Sequence, residues 1–157
     1  MIMENTNYKK ATFAAGCFWG VEERFSQMPG VVSTRVGYTG GKTENPTYEE
    51  VCRKNTGHAE AVEVTYDPDK TTYQKLLSLF FSLHSPGSVV DQGSNGMSQY
   101  RGAVFYHDEQ QRVEIEQEIL RLEKEKKYGP KIYTQVVPVE KFWPAEDYHQ
   151  QYYKKRG

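Results

Sequence analysis

The alternation of apolar and polar positions divides the chain into a succession of short elements. Lys9 to Ala15 is a β-prone run, and Gly16 punctuates its end. Over residues 17–28, Phe18, Val21, Phe25 and Met28 recur at helical spacing, with Glu22 and Glu23 on the polar side. Pro29-Gly30 stops that helix. Val31 to Tyr38 reads as a strand. Residues 59–66 alternate small or apolar positions with polar ones, which predicts a strand covered on one face. Asp67-Pro68-Asp69 turns the chain, and Thr71 or Thr72 can cap a helix running to about His84. Gly102 to Tyr106 is another short strand. Glu109 to Tyr128 is a highly charged amphipathic helix ended by Gly129-Pro130, and Thr134 to Val139 is a last strand before an aromatic tail from Phe142 to Tyr153.

The resulting order is β-α-β-β-α-β-α-β. Its first six elements match the split β-α-β plait of ferredoxin-like domains, an α/β (α+β) fold with helices packed on a mixed sheet. Two long loops, 39–55 and 85–99, interrupt the pattern, and an irregular C-terminal tail follows it. Loops of about 15 residues inside a compact domain are uncommon and usually functional, so both are candidates to wall a site. The 157 residues fit one domain spanning 1–157.

Composition narrows the function classes. Charged residues make up 26% of the chain and the net charge is -1, which offers no general attraction for nucleic acid or an anionic membrane. No segment approaches the roughly 20 apolar residues of a membrane span, and Met1 to Lys10 lacks the apolar stretch of a signal peptide. The expectation is a cytoplasmic protein. Two cysteines, Cys17 and Cys52, argue against a disulfide-stapled scaffold. Cys17, Cys52, His58 and His149 contain no pair with finger-like metal spacing, so neither metal nor cofactor is expected.

Cys17 is the prime candidate for chemistry. It stands where a strand passes through a glycine into a helix, and there free backbone N–H groups and the helix dipole favour an anion. A thiolate so placed is expected to have a lowered pKa. The plainer alternative is a buried, inert cysteine. Against it, nothing in folding requires the Phe18-Trp19 pair directly after a helix-start cysteine, and those rings suit a small apolar group such as an S-methyl.

Four motifs then stand in order: Gly16-Cys17-Phe18-Trp19-Gly20, Thr56-Gly57-His58-Ala59-Glu60, Gln99-Tyr100-Arg101, and residues 145–152, Ala-Glu-Asp-Tyr-His-Gln-Gln-Tyr. Together they closely resemble the peptide methionine sulfoxide reductase A family, over about residues 11–153. The resemblance implies that Cys17 attacks the sulfur of methionine sulfoxide, free or in proteins and of the S-epimer, releasing methionine and leaving a sulfenic acid. It implies an S-methyl pocket at Phe18 and Trp19, and a proton-donating carboxyl at Glu60. Tyr48 and Tyr100 match hydroxyls that bond the sulfoxide oxygen. His149 and Tyr152 match a C-terminal motif that contributes to the site or supports it.

The role of Glu60 has independent physical support. A sulfoxide oxygen leaves poorly unless protonated. Alternation places Glu60 on the same strand face as Val62 and Val64, towards the core, where burial raises a carboxyl pKa. A buried salt bridge to Arg35 or Arg101 is the alternative.

Two departures from the family pattern stand out. Residues 95–102 read Asn-Gly-Met-Ser-Gln-Tyr-Arg-Gly, so Asn95 occupies a substrate-binding position where an aspartate is expected, unless Asp91 supplies the carboxylate. No cysteine follows Cys52, which implies a one-cysteine type whose sulfenic acid is reduced by thioredoxin or by glutaredoxin with glutathione. Cys52 then reads as a structural thiol. Two other functions compete: a Cys-His hydrolase pairing Cys17 with His58 or His149, and a non-enzymatic plait domain that binds methionine-bearing partners.

Overall fold

The computed structural model describes residues 7–52, 56–84, 86–87 and 101–156. Their elements run β1 (Lys9–Ala15), α1 (Phe18–Ser26), β2 (Val31–Thr39), α2 (Tyr48–Cys52), β3 (Ala59–Tyr66), α3 (Tyr73–Ser82), β4 (Gly102–Tyr106), α4 (Glu109–Glu125), β5 (Gln135–Pro138), β6 (Trp143–Pro144), a 3-10 turn (Asp147–His149) and α5 (Tyr152–Arg156). Among the described residues the strands form one sheet in the order β5-β4-β1-β3-β2-β6. Its middle, β4-β1-β3-β2, is the antiparallel plait that the pattern predicts, with β3 between β1 and β2. β5 joins β4 in parallel through α4, which makes the sheet mixed. β6 is two residues long and pairs with the outer edge of β2.

One face of the sheet carries the main core. Phe13, Val36, Tyr38, Val62, Val64 and Val104 meet Phe25 of α1, Leu76, Leu77 and Phe80 of α3, and Ile115 and Leu122 of α4. Phe13 stacks between Phe25 and Phe80, at 5.0 and 5.1 Å between ring centres. Each such fully buried aromatic contributes about 2–3 kcal/mol of transfer free energy.

The second face corrects the expectation for β3, which is buried on both sides rather than one. Ala59 and Ala61 are wholly buried with Ala14, Ala103 and Phe105, packed by Val137, Val139 and Phe142. Its one charged member, Glu63, is neutralised by Arg35 at 3.1 Å and Lys10 at 3.7 Å. Alanines and a paired glutamate read as a half-wet face in a linear pattern, because nothing local reveals what covers them.

Boundaries differ by cap chemistry. Thr72, not Thr71, caps α3, accepting the Lys75 amide. α4 ends at Glu125, ahead of Gly129-Pro130, because its C-cap Lys126 takes a left-handed conformation (φ +56°) and the Lys127 amide reaches back to Leu122. The 39–55 loop contains the one-turn α2, and residues 85 and 88–99 of the second loop lie outside the described residues.

Gly37 locks the tail onto the sheet. A Cβ there would lie 2.4 Å from the Trp143 carbonyl oxygen and 2.6 Å from the Phe142 ring. Gly37→Val is therefore expected to break the β2–β6 pairing and destabilise the fold by at least about 2 kcal/mol. The drop in urea midpoint measures it, and an unchanged midpoint would refute the close packing.

Candidate active site

β1 ends at Ala15, and Gly16 turns the chain into α1 with φ +99°, a conformation that favours glycine. Cys17 is then the N-cap of α1, with extended backbone and no capping hydrogen bond accepted by its side chain. The first helical amides would ordinarily lack partners. Here the Phe18 amide donates to Glu60 Oε1 at 3.2 Å. The Trp19 and Gly20 amides favour the Cys17 thiolate without closing a capping hydrogen bond on the sulfur. The amide next to Cys17 in the chain thus ties the carboxyl to the start of the helix.

Glu60 is buried, on the core face of β3 as its alternation requires. Its second oxygen, Oε2, has no hydrogen-bond partner among the described residues. The salt-bridge alternative fails geometrically: Arg35 pairs with Glu63, while Arg101 donates to Gln135 at 2.9 Å and to the Gly57 carbonyl at 3.1 Å. Burial pushes the Glu60 carboxyl up to about 7, and the Phe18 amide only partly opposes it.

The expected lowering of the Cys17 pKa is corrected. Burial raises it, and the neighbouring Glu60 charge adds to the rise, outweighing the Trp19 and Gly20 amides. The residue reaches the surface, yet enough protein surrounds the sulfur for desolvation to win. Protonating Glu60 removes the repulsive contribution and so favours the thiolate.

An aromatic wall flanks the thiol. Phe18 is buried and Trp19 partly so. Trp19 stacks on Tyr152 with centres 3.8 Å apart and planes within 7°. Its indole N–H donates to His149 Nδ1 at 2.9 Å, so the proton of the neutral imidazole resides on Nε2. That Nε2 is buried without a hydrogen-bond partner among the described residues. Burial depresses the His149 pKa against the pull of Glu146, which keeps the ring neutral. The ring also packs against Phe18 at 5.1 Å, Tyr48 at 4.6 Å and Tyr148 at 4.1 Å.

Cys17, Phe18, Trp19, Tyr48, Glu60, His149 and Tyr152 are thereby gathered around the start of α1, as the sequence motifs suggest. Asn95, Tyr100 and the alternative Asp91 lie outside the described residues. His58 belongs elsewhere: its Nδ1 accepts from the Gly41 amide at 3.0 Å and its Nε2 bonds the Thr43 carbonyl at 2.8 Å. It staples the 39–47 loop and is spent as a catalytic base. His149 Nδ1 is likewise taken by Trp19, which leaves the Cys-His hydrolase without its base. Among the described residues no three His, Cys, Asp or Glu side chains cluster to hold a metal, and no helix is long and apolar enough to cross a membrane.

Sequence reasoning missed the residues that hold the tail. Glu146 accepts from the Tyr38 hydroxyl at 2.9 Å and from the Tyr48 amide at 3.0 Å. Burial works to raise its pKa, but these donors hold it below the ordinary carboxylate value. Gln150 imitates a strand, its side-chain amide accepting from Val36 N and donating to Val36 O, both at 2.9 Å. Both residues sit inside the 145–152 motif, which was the available signal.

The family model described as "Peptide methionine sulfoxide reductase" matches residues 9–157. The "Peptide methionine sulfoxide reductase MsrA" of Methanothermobacter thermautotrophicus is 54% identical over 151 residues, covering 96% of this chain and 89% of that protein. Reduced Mxr1 from Saccharomyces cerevisiae superposes with a TM-score of 0.85 at 32% identity, covering 98% of this chain and 88% of that one. The same yeast protein in complex with Trx2 superposes with a TM-score of 0.65 at 25% identity, covering 97% and 89%.

Proposed function

As the chain belongs to the peptide methionine sulfoxide reductase family, whose reaction returns methionine sulfoxide to methionine, we propose that Cys17 is its nucleophile and Glu60 its proton donor. The observation that supports this reading is their adjacency: the amide of Phe18, the residue after Cys17, donates to the Glu60 carboxyl at 3.2 Å at the start of one helix. The Cys17 thiolate attacks the sulfoxide sulfur while Glu60 protonates the departing oxygen. A bond forms between the two sulfurs as the S–O bond breaks; the released hydroxide then attacks Cys17 Sγ, the sulfur–sulfur bond breaks, and Cys17 is left as a sulfenic acid. The substrate sulfur gains two electrons and leaves as the thioether, and the cysteine sulfur loses two.

Phe18 and Trp19 form the S-methyl pocket, and Tyr48 and Tyr100 bond the oxygen. Asn95, Tyr152 and His149 hold the substrate or the pocket wall. A fixed chiral arrangement of methyl pocket, acid and nucleophile selects the S-epimer. Residues 1–157 act as one domain, free or protein-bound methionine sulfoxide is the substrate, and the reducing cytoplasm suits cysteines that are not joined in a disulfide.

Return of the sulfenic acid to thiol consumes two external thiols, which become a disulfide as water leaves. Thioredoxin is the favoured donor because the similar yeast protein forms a complex with Trx2; glutaredoxin with glutathione is the alternative. Cys52 ends α2 and is half-buried. Cys52→Ser is expected to keep steady-state activity within about twofold with dithiothreitol and with thioredoxin. Stalling after one turnover would make Cys52 the resolving thiol. The test of the whole reading is mass spectrometry after one equivalent of sulfoxide without reductant. One added oxygen on Cys17 supports it; an unmodified Cys17 alongside released methionine overturns it.

A further inference from the structure

Glu22 is a buried carboxyl that the mechanism above leaves unused. It lies on α1 three residues after Trp19, so both side chains share one helix face. Only 1% of the residue is exposed, and among the described residues no cation pairs with it. Its oxygens are met instead by three donors, each at 2.8 Å: the Thr34 hydroxyl, the Gln151 amide and the Gln151 side-chain amide. Gln151 Nε2 also bonds Thr34 at 3.0 Å, closing the ring of contacts.

Gln151 itself is held at φ +54°. A non-glycine residue there costs about 1–3 kcal/mol and persists only where its surroundings impose it. Glu22 is what imposes it, bonding both backbone and side chain of that residue. The flanking chain carries the two partners of Trp19: His149, which accepts the indole proton, and Tyr152, which stacks on the ring. One helix face therefore holds the indole directly and, through Glu22, the turn from which both of its partners depart. Charge-assisted hydrogen bonds are short and directional. Apolar packing between α1 and the tail would join them without fixing that turn.

We propose that Glu22 is a positioning residue that sets the width of the pocket at Trp19, through Gln151, His149 and Tyr152, and so the preference for a methyl over a larger S-alkyl group. The inference rests on the reading of Phe18 and Trp19 as the methyl pocket and adds the residue that sets its tolerance. One methylene in an apolar pocket is worth roughly tenfold or more in kcat/KM, so the ratio for methionine sulfoxide over ethionine sulfoxide reads the pocket directly. A purely structural role lowers both rates equally and leaves the ratio fixed.

With dithiothreitol as reductant, Glu22→Leu is expected to reduce that ratio to within about threefold of unity, whereas Glu22→Gln keeps it near wild type because a flipped Gln151 amide re-forms the ring. Gln151→Gly suits the backbone angle and deletes the side-chain bonds; it is expected to relax the ratio as well, and it decides the matter if Glu22→Leu does not fold. In a Trp143→Phe background, Trp19 emission is expected to shift in Glu22→Leu and to stay put in Glu22→Gln. A ratio unchanged in both disruptive variants, or a wild type without methyl preference, overturns the proposal. Failure of the underlying mechanism shows separately, as reduction that survives in Cys17→Ser.

Discussion

Cys17→Ser is expected to lower sulfoxide reduction by at least about a thousandfold while making the protein slightly more stable. The loss follows from the electron count. The nucleophile must end the step oxidised and carrying oxygen; a sulfur atom accommodates this as a sulfenic acid, and a serine oxygen does not. The gain follows from position. Cys17 is an N-cap whose side chain accepts no capping hydrogen bond, and serine is among the preferred residues there, worth about 0.5–1 kcal/mol. Methionine formation followed by chromatography tests the first part and the thermal midpoint the second. Residual turnover in this variant would remove Cys17 from the mechanism, whatever the stability.

The second large effect is at Glu60. Glu60→Gln keeps an acceptor for the Phe18 amide but has no proton to give, and is expected to slow sulfenic acid formation by about 10²–10⁴-fold in single turnover. The pH dependence follows from the protonation states that the proposed mechanism needs. The reactive state has Cys17 as thiolate and Glu60 as acid, one proton between the two groups. Its population rises with pH until Glu60 titrates at about 7, then stays level until the thiol titrates. The wild type is therefore expected to plateau above about pH 7, whereas Glu60→Gln keeps rising roughly tenfold per unit into the alkaline range. Identical profiles would remove Glu60 from the acid role.

Stability moves in the opposite sense. The folded-state pKa of Glu60 lies above the ordinary 4.5, so the folded protein binds more protons than the unfolded chain between those values. Stability consequently falls as pH rises from about 4.5 to about 7, by up to about 3 kcal/mol for this group. Glu60→Gln lacks that loss. It is expected to show a higher urea midpoint than wild type at about pH 8, and little difference at about pH 4.

The plait and the start of the active site were legible in sequence because both rest on local chemistry. Gly16 marks a turn, Cys17 a helix start, and alternation along 59–66 puts Glu60 on the Val62 and Val64 side. What could not be read depends on distant chain. The burial of Ala59 and Ala61 depends on what packs the second face of the sheet. The Cys17 shift depends first on how much protein encloses the sulfur, and then on Glu60, 43 positions away. The partners of Glu22 and Glu146 lie more than a hundred positions off or on other elements, and a glutamate on a helix reads as solvated until its contacts are known.

Gln150 has a further consequence. An unpaired strand edge is a template for pairing with other chains. β6 covers only Gly37 and Tyr38 of β2, and the Gln150 amide fills both the donor and the acceptor of Val36 just beyond. At the opposite border of the sheet, β5 is four residues long and ends on Pro138, which has no N–H to offer a neighbour. Both borders are thus poor seeds for intermolecular sheet growth. The tail motif thus covers a sheet edge as well as packing beside Trp19.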